Sequence, residues 1–145
     1  MQKGLSSIRI LFVEDSKFYS EVILAMLKPL EHVTVDYAET SAEGIAFLDN
    51  PSHHYDLAIV DLNLPDTPTA EFARETRRRN ISTVVFSSVL DYKIKEELFD
   101  MGIIDYVAKD SPIAVNYLQE LVEFLIQQSQ EQVLVVTRDN TLRRE

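Results

Sequence analysis

The sequence contains no cysteine, which removes disulfide frameworks, thiolate zinc sites and cysteine nucleophiles together and fits a reducing compartment. Basic residues are also in short supply: 14 lysines and arginines face 24 aspartates and glutamates, a formal net charge of −10. That balance disfavours a broad nucleic-acid footprint or attraction to anionic lipid, so no direct nucleic-acid or membrane partner is expected. Long apolar runs are missing too. The longest stretch without a charged residue, Asn80 to Leu90, falls far short of the roughly 20 apolar residues a membrane span needs. Met1 to Ser7 lacks the apolar stretch of a secretory signal, and the expected location is cytoplasmic. What remains, 145 residues, suits one domain burying roughly two-thirds of its unfolded surface behind ordinary hydrophobic packing.

Four short runs rich in β-branched residues read as strands: Ile8 to Val13, Val33 to Val35, Leu57 to Val60 and Thr83 to Phe86. Ile10 to Val13 and Leu57 to Val60 lack polar alternation, the mark of strands buried on both faces. A fifth, shorter run is Asp105 to Ala108. Between them lie segments with helical spacing. Ser16 can cap a helix carrying Val22, Ile23, Met26, Leu27 and Leu30, and Thr40 with Glu43 forms a capping box before Ala42, Ile45, Ala46 and Phe47. Thr67-Pro68 and Ser111-Pro112 each predict a helix start, with a hydroxyl at the cap and proline in the first helical position. The fourth helix is predicted from about Asp91 to Met101, stopped by Gly102, and the fifth from Pro112 to about Gln130. Strand then helix, five times over, implies an α/β fold: a parallel sheet with helices on both faces and right-handed crossovers.

Beyond the fifth helix, Val133, Leu134, Val135 and Val136 form a sixth strand-like run resembling Ile10 to Val13. It reads either as the first strand of a second, truncated domain of the same kind or as an added edge strand. The expected division is therefore residues 1–131 as one domain and 132–145 as an extension.

Ligands in doubly wound sheets sit beyond the carboxyl ends of the strands. The residues there are Glu14 and Asp15 after the first strand, Asp61 after the third, Ser87 and Ser88 after the fourth and Lys109 after the fifth. Taken singly, an acidic residue after a strand is most often a solvated loop residue or a helix cap; the coincidence at successive strand ends is what carries meaning. Three converging carboxylates require raised pKa values or a bound cation. Oxygen-only donors without histidine favour magnesium. Lys109 supplies fixed positive charge for an anion, Ser87 a hydroxyl donor, and a carboxylate in such surroundings can form an aspartyl-phosphate.

Four segments, Ile10 to Ser16, Asp56 to Asp66, Val84 to Ser88 and Gly102 to Asp110, resemble the receiver domain of bacterial two-component response regulators, in order and at suitable spacing over about residues 8–130. The resemblance implies a flavodoxin-like, five-stranded parallel sheet of order 2-1-3-4-5. It implies that Asp61 accepts a phosphoryl group from a phosphohistidine on a sensor histidine kinase or phosphotransfer protein. Glu14, Asp15, Asp61 and the carbonyl of Asn63 would hold Mg2+, while Ser87, Ser88 and Lys109 bind phosphoryl oxygens. Ser87 and Tyr106 would be switch residues coupling the site to the α4-β5-α5 face, which is also a possible homodimer surface, with an output domain lying outside this chain. Alanine in place of Lys109 is expected to leave folding nearly intact and to weaken the switch.

The chain departs from the family pattern at Asp110, where proline is usual, at Ser88, where a smaller residue is usual, and at Thr69, where glycine is frequent. None of these removes a group from the site. Arg77, Arg78 and Arg79 are read as cations complementing the C-terminal dipole of the third helix. His53 and His54 lack a ligand-spaced partner, and Tyr117 with Phe124 widens the apolar stripe of the fifth helix into a candidate partner surface. The alternative function is a magnesium-dependent phosphohydrolase working through an aspartyl-phosphate. Asn63 argues against it, because its amide stands where that chemistry wants a second aspartate. A receiver-like module that binds partners without phosphorylation is a third possibility, disfavoured by the intact acidic set.

Overall fold

The computed structural model describes residues 7–142, with side chains described for 7–129. Five strands, β1 (Ile8–Val13), β2 (Val33–Ala38), β3 (Leu57–Val60), β4 (Thr83–Ser87) and β5 (Asp105–Ala108), alternate with helices α1 (Lys17–Leu27), α2 (Ser41–Asp49), α3 (Glu71–Arg78), α4 (Tyr92–Asp100) and α5 (Ala114–Leu142). All strand pairs are parallel and the order is β2-β1-β3-β4-β5, as the resemblance implies.

Successive side chains of a strand point to opposite faces, and the core divides accordingly. Leu11, Val13, Ala58, Val60 and Val85 pack with Phe72, Ala73 and Leu98 under α2, α3 and α4. Ile10, Phe12, Ile59, Val84 and Phe86 pack with Ile23, Leu27, Leu118 and Val122 under α1 and α5. Burial on both faces is why β3 and the end of β1 carry no polar alternation. At Gly44 of α2 the backbone comes so close to α3 that an added Cβ would stand 2.6 Å from Phe72 Cζ. Gly102 ends α4 with a φ of 95°, a left-handed conformation natural to glycine.

The caps explain where the sequence pattern succeeds. Ser16 Oγ accepts from Tyr19 N–H, and Thr40 Oγ1 accepts from Glu43 N–H while Glu43 reaches back to the N–H of Glu39. The side chain of Asp91 caps α4. Elsewhere the structure corrects the pattern. β2 runs on to Ala38, because pairing with β1 continues through Val13↔Ala38 and Asp36 is satisfied by Arg9 at 2.9 Å and by the Tyr55 hydroxyl. α3 begins at Glu71 rather than at Pro68. Ala70, with φ 71°, is left-handed and donates its N–H to Leu62 O, so Thr67-Pro68 opens a turn. Ser111-Pro112 likewise forms a turn, and α5 starts at Ala114.

α5 continues through Val133, Leu134, Val135 and Val136, where the pattern predicts a strand. A short apolar run fits either periodicity, and no glycine or proline interrupts the chain from Ala114 to Leu142. Among the described residues, no helix is long and apolar enough to cross a membrane.

Candidate functional site

The strand order reverses between β1 and β3, both of which have their carboxyl ends at the same edge. Val13 is in register with Val60, so the next residues, Glu14 and Asp61, emerge side by side. Ser87 is in register with Ala108, which brings Lys109 out beside them. Backbone hydrogen bonds fix each exit: Asp61 N–H to Val13 O at 3.0 Å, Glu14 N–H to Ala38 O at 3.0 Å and Lys109 N–H to Ser87 O at 3.0 Å.

Glu14, Asp15 and Asp61 offer oxygens that all lie within 4.8 Å of one another. Glu14 and Asp61 are buried and Asp15 is exposed. The ammonium of Lys109 bridges the buried pair, 2.9 Å from Glu14 Oε1 and 3.0 Å from Asp61 Oδ2. Asp61 Oδ1 accepts from Asn63 N–H at 3.2 Å, and Glu14 Oε2 accepts from Ser16 N–H at 3.0 Å. One ammonium against three carboxylates leaves the site short of positive charge. Burial pushes the Glu14 carboxyl up to about 7; Asp61 adds to the rise and Lys109 opposes it. Burial alone would lower Lys109, but its two carboxylate partners hold it above the usual lysine value.

Asp15 and Asp61 open on a cleft of about 370 Å³ lined also by Ser16, Tyr19, Asn63, Ser88, Lys109 and Asp110, with Glu14 buried behind it. Ser88 faces it, whereas Ser87 is fully buried and its Oγ accepts from Val89 N–H at 3.1 Å. Tyr106 is buried, and its hydroxyl donates to the Val89 carbonyl. Each residue drawn from the strand ends therefore lies at this edge. Two contributors escaped the sequence pattern. Tyr19 lines the cleft from the first turn of α1, and Phe86, at the end of β4, lies with its ring 5.6 Å from the lysine nitrogen. Their signal is only positional: three residues past the Ser16 cap, and one before Ser87.

The remaining candidates are structural. Arg77 donates to Met101 O and Ile81 O, while Arg78 and Arg79 pair with Glu71, Glu75 and Asp49, so the arginine run serves as struts and surface pairs. His53 packs against Phe47 and Tyr55.

Residues 10–123 match the response regulator receiver domain family. The chain is 34% identical over 125 residues to the transcriptional regulatory protein PmrA of Pectobacterium parmentieri, covering 85% of this chain and 54% of that protein. It is 33% identical over 104 residues to the virulence transcriptional regulatory protein PhoP of Salmonella typhimurium, covering 70% and 45% respectively. A CheY-like response regulator receiver domain protein from Methanospirillum hungatei JF-1 superposes with a TM-score of 0.71 at 24% identity, over 87% of this chain and 99% of that one. The chain thus spans about half the length of the curated relatives it matches. With sheet order, acidic edge and family match in agreement, the chain belongs to the receiver domains of two-component response regulators.

Proposed function

We propose that Asp61 is the phosphoacceptor of a signalling switch, taking its phosphoryl group from a phosphohistidine of a sensor histidine kinase or phosphotransfer protein. The observation that carries this is the Lys109 ammonium shared between Asp61 and Glu14, with Asp15 beside them. In the transfer, the N–P bond of a donor whose other ring nitrogen is protonated breaks, its electron pair stays on the ring nitrogen, an Asp61 oxygen forms the new O–P bond, and the neutral imidazole leaves. Asn63 N–H and Lys109 orient the carboxylate. Lys109, with Ser88 at the cleft, meets the negative charge spread over the phosphoryl oxygens. Ser87 is the hydroxyl that has to leave Val89 to reach the group.

Magnesium suits these residues. The donors are hard oxygens from Glu14, Asp15, Asp61 and the Asn63 carbonyl. Glu14 Oε1 is buried and accepts no hydrogen bond, although the ammonium lies 2.9 Å away. When bound, the ion supplies the missing positive charge and polarises a phosphoryl oxygen.

The output is a change of surface, for which a new dianion biases a pre-existing equilibrium. Phe99, Ile104, Tyr117 and Phe124, exposed on α4, β5 and α5 or beside them, support that face as the contact surface for a second copy. The kinase and an output domain complete the pathway, residues 1–131 being the receiver unit in a cytoplasmic protein. Ester hydrolysis is disfavoured because Asn63 has no carboxyl for general acid–base work, which makes the chain a phosphoacceptor rather than a turnover enzyme.

Incubation with acetyl phosphate and magnesium tests the assignment. The wild type is expected to gain one phosphoryl group, located at Asp61 after borohydride reduction and peptide mapping, and Asp61→Asn none. Modification of another carboxylate, or none in the wild type, overturns it.

A further inference from the structure

We propose that Tyr19 is a positioning residue for Lys109, holding the ammonium over the cleft through the face of its ring; this rests on the phosphoacceptor reading above. A lysine side chain is a flexible stem ending in a compact, strongly hydrated charge. Here three groups fix it. Glu14 and Asp61 draw the ammonium from one side. On another, Nζ lies 4.7 Å from the centroid of the Tyr19 ring, within cation–π range, with Phe86 further off at 5.6 Å. The ring is itself held. Tyr19 N–H donates to the Ser16 cap, the ring meets Phe86 edge to face at 5.5 Å, and its hydroxyl donates to Lys109 O at 3.3 Å.

One residue of α1 therefore grips Lys109 at both ends, ammonium and main-chain carbonyl. The carboxylate contacts have to loosen when the ammonium turns to phosphoryl oxygens, and the ring contact does not depend on them. Without it, the exposed acids Asp15 and Asp110, which also line the cleft, compete for the charge. Tyr19 acts through the lysine rather than on the phosphoryl group.

The experiment uses the full chain with beryllofluoride and magnesium as the phosphoryl probe. Tyr19→Phe keeps the ring, and pentafluorophenylalanine at the same position keeps its shape while reversing the charge of its face. Beryllofluoride affinity is expected to stay within about twofold of wild type in Tyr19→Phe and to fall about tenfold in the fluorinated protein, the range a partly desolvated cation–π contact spans. Magnesium affinity without beryllofluoride is expected not to weaken, whereas a merely structural role for the ring would weaken both. Equal beryllofluoride affinity in the two variants, or a parallel loss of magnesium binding, overturns the inference. A wild type that binds no beryllofluoride overturns the phosphoacceptor reading instead.

Discussion

Ser87 and Tyr106, on neighbouring strands, hold the backbone of one residue between them: Val89 donates its N–H to Ser87 Oγ and accepts the Tyr106 hydroxyl at its carbonyl. Were the serine hydroxyl to move toward the cleft as proposed, one side of Val89 would be released while the other stayed tied to an aromatic ring over which Lys95 sits at 5.5 Å. The start of α4, Tyr92, follows three residues later. In the switch proposed above, a change at the acidic edge would reach the loop and the start of α4 through Val89, without any side chain crossing the sheet.

Ser87→Ala and Tyr106→Phe should each cost about 1 kcal/mol, the net worth of a half-buried hydrogen bond. Because both hold Val89, the losses should couple by about 0.5 kcal/mol or more in a double-mutant cycle. Urea unfolding of the four proteins measures this, and strict additivity refutes a shared element.

Gly44→Ala is expected to destabilise the domain by about 1 to 2 kcal/mol. Alanine favours the helix, but its methyl would meet the Phe72 ring at 2.6 Å, and Phe72 is buried, so the ring or the helices must shift against their neighbours. Phe72→Leu shortens the side chain and should recover part of the loss in the double variant. An unchanged urea midpoint in Gly44→Ala would show that the two helices separate freely.

β1, β3 and β5 stand where their apolar runs predict, and the helix caps at Ser16, Thr40 and Asp91 make the local hydrogen bonds that their side chains suit. Those signals are local, and so is the rule that polar residues after buried strands gather at one edge, which made Glu14, Asp15, Asp61, Ser87 and Lys109 legible. The illegible parts depend on contacts distant in sequence. β2 is extended by β1. Thr67-Pro68 is denied a helix by the Ala70 to Leu62 hydrogen bond, and Asp66 turns instead to cap α2 through Ser41 and Ala42. Tyr19 is set against Lys109, 90 positions away, by tertiary contacts alone.

Stability should fall as pH rises from about 5 to 8 on account of Glu14. Its folded carboxyl sits at about 7, above the ordinary value of 4.5, chiefly through burial. Between those values the folded state keeps a proton that the unfolded chain has lost, so the stabilisation is full below about 4.5 and gone above 7, amounting to about 3 kcal/mol. Lys109 is raised from 10.5 and adds no slope in this window. Urea unfolding across the pH range should give a flatter profile for Glu14→Gln, and identical slopes would contradict the burial effect.

Lys109→Ala should not leave folding nearly intact, which corrects the expectation drawn from the sequence alone. The side chain is only 7% exposed and is the cation shared by two buried carboxylates. Removing one partner of a buried ion pair leaves uncompensated charge, at a cost of about 3 kcal/mol at pH 8. At pH 5 the cost should shrink, because Glu14, raised by burial, already holds a proton in the folded protein with or without the lysine, so that Asp61 is the carboxylate left to lose its counter-charge. Millimolar magnesium should restore part of the stability at pH 8 and little at pH 5, where protonated Glu14 is a poor ligand. Denaturation of wild type and variant at the two pH values, with and without magnesium, separates this from packing. A loss that is the same in all four conditions would assign the lysine's contribution to its hydrocarbon stem.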